Sequence, residues 1–158
     1  HLTAELFWQQ TRTEGVHIPY KGGAPALIDV AGGHIKFYFS NAAASTGPVK
    51  AGTIRALAHT GRGRLAAFPD LSPMADTLPG YEAYEWNGVF VPAKTPRAIV
   101  NRLNEETVKA LRNPAIVEKL AKLGVDQMIM TPEQMDAMVK AEVEAAGPLA
   151  KAAGIAAK

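Results

Sequence analysis

The sequence predicts a mixed α/β fold: a mostly parallel sheet with flanking helices, followed by a largely helical C-terminal segment. Three observations carry this. Short β-branched or aromatic runs alternate with helical segments in the order α-β-α-β-α-β, then turns and a further strand, and strands joined through helices pair in parallel. The chain changes character at Pro92-Ala93-Lys94-Thr95-Pro96, beyond which helical periodicity dominates. The 158 residues, 47% hydrophobic and 20% charged, have the length and composition of a globular chain able to bury a core.

The first helix is read over His1–Gln10, where Leu2, Leu6 and Phe7 give an amphipathic pattern. No Ser, Thr, Asp or Asn precedes it as a cap, so the natural beginning is expected to be missing, which leaves a lost signal peptide open. Val16-His17-Ile18 reads as a strand, and Gly22-Gly23 turns the backbone without a Cβ penalty. Pro25 fits the first turn of a helix, which covers Ala26–Ala31 and stops at Gly32-Gly33. His34–Phe39, with Ile35, Phe37 and Phe39 alternating, is the second strand. Ser40 and Asn41 cap a weak helix at Ala42–Ser45, finished by Pro48–Gly52.

Ile54–Thr60 is the third strand. Gly61–Gly80 is a long connection with Pro69, Pro73 and Pro79, and with one or two helical turns at Ser72–Thr77. Tyr84–Val91 is the fourth strand. Thr95 caps, and Pro96 opens, a helix to Leu111 that carries Ile99, Val100, Leu103, Val108 and Leu111 on one face. Asn113-Pro114 breaks it. A helix at Ala115–Leu123 stops at Gly124, and Val125–Met130 is a short strand. Thr131-Pro132-Glu133-Gln134 opens a helix to about Ala146, interrupted at Gly147-Pro148, with Leu149–Lys158 frayed or lying on the surface.

Several functions are disfavoured. The net charge is only +2 with scattered basic residues, which argues against nucleic-acid binding. No apolar run approaches the roughly 18 residues of a membrane span. Cysteine is absent, and His1, His17, His34 and His59 lack metal-site spacing. There is no nucleophile elbow, Walker loop or dinucleotide fingerprint. Asp29 falls on a helix face and Glu82 and Glu85 flank a strand; all three are expected to meet water. Trp86 is read as a core or hinge residue.

In open α/β sheets, ligands sit beyond the carboxyl ends of the strands. Here those ends are Pro19–Gly23, Ser40–Ala42 and Thr60-Gly61. The first offers backbone N–H groups at a helix start, a seat for an anion. A plain tight turn is the competing reading, as is a plain helix cap for Ser40 and Asn41, while Tyr20 packs over the turn.

Ile18-Pro19-Tyr20-Lys21-Gly22-Gly23, with Ala26-Leu27 and Gly32-Gly33 after it, resembles the extracytoplasmic solute-binding receptors of tripartite tricarboxylate transporters, the Bug receptors. The matches continue in order through Phe37-Tyr38-Phe39-Ser40-Asn41, Val49-Lys50-Ala51-Gly52, Ile54–Ala58, Phe68–Met74, Leu78–Glu82, Trp86–Ala93, Thr95-Pro96 and Thr131-Pro132-Glu133 to Ala153-Gly154-Ile155. The resemblance implies a periplasmic-binding-protein-like lobe from a two-lobed receptor, with the first lobe largely missing. Residues 1–91 would form the second, ligand-binding lobe. Residues 92–158 would form the crossover and the helices that pack on the first lobe or hinge. It implies a periplasmic protein without catalysis or cofactor that captures a small organic (di)carboxylate for the membrane subunits of the transporter. By resemblance, Tyr20, Lys21, Gly22, Gly23, Ala24, Ser40, Asn41 and Ala42 line the ligand. With no first lobe, the C-terminal helices would fold back on the chain's own sheet or pair with a second copy. Other readings are an enzyme using Asp or His at the strand ends, a regulatory effector-binding module, and a half-cleft that binds nothing.

Overall fold

The computed structural model describes residues 1–155. They fall into two compact units, one of His1–Glu85 with Lys122–Val125, the other of Trp86–Ala121 with the chain from Asp126 onward.

The first unit opens with α1 (Leu2–Thr11), which ends where Arg12 adopts a left-handed conformation and the Thr13 amide bonds to the Trp8 carbonyl. Phe7 on α1 meets Phe37, Phe39 and Tyr81 with ring centroids 6.0–6.5 Å apart, mostly edge-on or tilted. Tyr81 is buried, and its hydroxyl donates to the Thr3 carbonyl at 2.8 Å, so the polar end of this core side chain is satisfied. α2 (Gly23–Ala31) packs on α3 (Ala42–Lys50). Ala26 of α2 and Thr46 of α3 are buried, and the Thr46 hydroxyl donates to the Ala42 carbonyl at 2.7 Å.

In the second unit, α4 (Arg97–Leu111) packs on α6 (Pro132–Ala152), and Arg97 pairs with Glu133. The Asn104 amide donates to the Met130 carbonyl at 2.9 Å, tying α4 to the stretch before α6. α5 (Pro114–Lys122) is capped by Asn113, which accepts from the Ala115 amide at 2.9 Å. Trp86 is half-buried, its rings 6.3 Å from that of Phe90.

The helices stand where the sequence places them, with instructive differences. α2 begins at Gly23, so Pro25 lies in its first turn as expected. Thr95 does not cap α4 through its side chain; the cap position is Pro96, and the Thr95 amide turns back to the Pro92 carbonyl. α3 runs through Pro48 to Lys50 rather than ending at Ser45, and α6 runs through Gly147-Pro148 to Ala152. Each proline deprives a carbonyl one turn back of its partner, that of Ala44 or Glu144; both of those residues are exposed, so water can take the missing place. The outermost residues of the expected surface tail, 156–158, lie outside the described residues.

The strands differ most. Val16–Ile18, His34–Phe39, Ile54–Thr60, Tyr84–Val91 and Val125–Met130 run as non-helical connections between the helices. Among the described residues the β pairing is limited to two isolated bridges, His59 with Pro73 in parallel and Leu65 with Phe68 antiparallel. The alternation along the chain is that of an α/β lobe without the ladder expected to bind it. Strand character in a sequence measures fit to a pleated, half-buried surface, and a ladder also needs a neighbour in register. Accordingly Val16, Phe37, Leu57, Tyr84 and Val89 remain exposed.

Candidate functional site

The junction before α2 is built by backbone conformation. Gly22 holds φ 116° and ψ 175°, a combination closed to residues with a Cβ, although nothing lies within 4 Å of where one would stand. Glycine is therefore required there by the turn and not by crowding. Gly23 opens the helix close under the Tyr38 hydroxyl, which a Cβ would approach to 3.2 Å. First-turn amides have no acceptor within their own helix, so Gly23 and Ala24 aim theirs outward, while Pro25 contributes none. With the positive end of the α2 dipole, this is an arrangement suited to an anionic oxygen. Lys21, exposed beside the turn, adds a positive charge.

Tyr20 does more than pack. Its hydroxyl donates to the Asp29 carboxylate at 2.6 Å across the turn, which corrects the reading of Asp29 as simply solvated. That hydrogen bond, followed by desolvation and the nearby negative charge, raises the Tyr20 phenol above its ordinary range.

The second loop leads into α3. Asn41 caps that helix, accepting from the Ala44 amide at 2.8 Å, and the Ser40 hydroxyl donates to the Asn41 carbonyl at 3.2 Å. Ala42 is the first residue of α3. The two loops thus lie at the starts of packed helices, with Tyr38 reaching from the approach to α3 over the approach to α2.

The end of the third predicted strand is drawn into other work. The Thr60 hydroxyl donates to the Ala83 carbonyl at 2.6 Å, and Gly61 lies against the Tyr84 ring. Arg62 donates from its backbone to the Tyr84 hydroxyl and from Nε to Glu82 at 2.6 Å. Glu82 therefore does not simply meet water. The Tyr84 hydroxyl, ahead of the Arg62 guanidinium, holds its carboxyl below the usual range. These pairings span about twenty residues and have no local signature; the Tyr20–Asp29 pairing had one, a lone carboxylate on the short helix just after the tyrosine.

Two open hollows of about 630 and 440 Å³ lie elsewhere in this unit, lined by Val49 and Gly52–Ala56 and by Lys50, Ala56 and Ala67–Leu71. They are shallow and do not include the helix-start loops. Among the described residues no group of three or more His, Asp or Glu is placed to hold a metal ion, and no helix is long and apolar enough to cross a membrane.

An α/β lobe that offers backbone donors at helix starts and, among the described residues, no cluster of nucleophile, base and orienting group, is the kind of site found in solute-binding proteins. The family profile TctC, tripartite tricarboxylate transporter family receptor, matches residues 1–155, and the chain belongs to that family. Its members are periplasmic solute-binding receptors and not enzymes. A solved structure described as R. palustris Rpa4515 with adipate is 37% identical and superposes with a TM-score of 0.92 over 99% of this chain and 52% of its own. The periplasmic binding protein BugD is 28% identical, with a TM-score of 0.83 over 98% of this chain and 53% of its own. Protein BugT of Bordetella pertussis is 34% identical over 145 residues, which are 91% of this chain and 44% of BugT. The chain spans about half the length of most curated relatives it matches.

Proposed function

We propose that this chain supplies one wall of a carboxylate-binding receptor: it captures a small organic dicarboxylate in the periplasm for the membrane subunits of a tripartite tricarboxylate transporter. The observation that carries the reading is the 0.92 superposition on a relative solved with adipate. The outward amides of Gly23 and Ala24 support it physically, since aligned first-turn N–H groups favour negative charge. In this reading the wall comprises Tyr20, Lys21, Gly22, Gly23, Ala24, Ser40, Asn41 and Ala42. Residues 1–91 form the ligand-binding lobe, and residues 92–158 form a crossover and helices that pack on a first lobe or hinge. The exposed Ile99 and Leu103 of α4 and Val143 of α6 support a second element of the reading, pairing of the chain with a second copy through these helices.

The test is a thermal-shift panel of mono-, di- and tricarboxylates, run beside an assay for consumption of each. Saturable stabilisation by a dicarboxylate with no turnover is the expected result. Turnover of any member overturns the reading in favour of an enzyme. Absence of any shift with the whole panel overturns capture by this chain and leaves a wall that does not bind by itself.

A further inference from the structure

We infer that Tyr20 serves this wall as a positioning residue, paired with Asp29, and does not contact the ligand through its hydroxyl. The inference rests on the proposed capture of a carboxylate by the α2 turn and assigns one of its residues a role. Tyr20 has a single hydroxyl proton, and it is donated to Asp29 Oδ2, 2.6 Å from the phenol oxygen. What remains on the phenol oxygen is acceptor capacity, which a carboxylate ligand cannot use.

Asp29 is itself held in place. Its carbonyl accepts from the His34 amide at 2.9 Å and from the Ile35 amide at 3.4 Å, at the glycine stop that ends α2. The side-chain bond therefore ties the residue just before the Gly22 turn to the far end of the helix that follows. Between these anchors lies Gly22, whose φ of 116° is open to glycine alone and where nothing stands within 4 Å of the place a Cβ would take. Gly22 therefore has no side chain of its own, and no neighbour at that position, to hold it in shape. The Tyr20–Asp29 bond is the tie that spans it, and both residues are half-buried, which favours a charge-assisted bond over separate solvation.

The experiment measures adipate affinity by calorimetry, and amide hydrogen exchange at Gly23 and Ala24 in the ligand-free protein, for the wild type, Tyr20→Phe, Asp29→Ala, the double variant and Asp29→Asn. Tyr20→Phe keeps the ring, so a general loss of packing is separated from loss of the tie. Each of the two single variants is expected to weaken adipate binding by roughly tenfold, the scale of one hydrogen bond to a charged group. The double variant is expected to be no weaker than either, because both remove the same bond. Asp29→Asn, whose amide oxygen still accepts, is expected to stay within about twofold of the wild type. Exchange at the two amides is expected to rise in Tyr20→Phe and not in Asp29→Asn. Multiplicative losses, or a loss in Tyr20→Phe that Asp29→Ala does not share, would make Tyr20 a direct contact and overturn the inference. If the wild type binds no adipate, the capture reading fails separately, and the exchange arm still decides the tie: unchanged exchange in Tyr20→Phe overturns it.

Discussion

Gly22 and Tyr81 illustrate how single residues shape the first unit in opposite ways. At Gly22 the constraint is conformational: a Cβ meets no atom, yet φ is 116°. Gly22→Ala should therefore destabilise by about 1–2 kcal/mol through backbone strain, without rearranging neighbours, as a chemical denaturation series would show. At Tyr81 the constraint is burial, which pushes its phenol from the ordinary 10.0 up to about 12. Because the folded-state value lies above the unfolded one, the unfolded chain loses its proton first as pH rises. Stability is fully retained below pH 10.0 and declines through the window up to about 12. Denaturation midpoints should fall across that window in the wild type, and the fall should be smaller in Tyr81→Phe. At this scale the sequence was legible where a residue acts on its own backbone, as at Gly22, Pro25 and Asn41. It was not legible for Glu82, whose partners Arg62 and Tyr84 are assembled by the fold.

The helices show local rules at work. The cap of α6 is the clearest: Thr131 accepts from the Gln134 amide at 3.3 Å while Gln134 accepts from the Thr131 amide at 2.9 Å, the capping box that the sequence Thr-Pro-Glu-Gln announces. Thr131→Ala should cost about 1 kcal/mol of stability, measured as a lower denaturation midpoint. The prolines of α3 and α6 went the other way, since helix ends were expected at or before them and both helices continue. Pro148 sits exposed in a helix 21 residues long. Pro148→Ala restores an amide donor for Glu144, so it should stabilise by roughly 1–3 kcal/mol, read as a higher thermal midpoint. Caps and glycine stops are written within a few residues, which is why six helices could be placed from the sequence. Ladders depend on residues far apart, which is why the strand runs were found without their pairing.

For the molecule, the exposed apolar surface is the feature with most consequence. Ile99 is 51%, Leu103 43% and Val143 67% exposed, although the periodicity of α4 marks its apolar residues for burial. Light scattering coupled to size-exclusion chromatography should show self-association that Leu103→Glu reduces, whereas a stable monomer at all concentrations would contradict pairing through these helices. The superposition on Rpa4515 and the free amides at the start of α2 converge on capture of a carboxylate as the central claim. Calorimetric titration of the wild-type chain with adipate tests it most directly. A single saturable site, lost in Gly22→Val, is the result expected; a flat titration with adipate and with the mono- and tricarboxylates beside it would contradict the account.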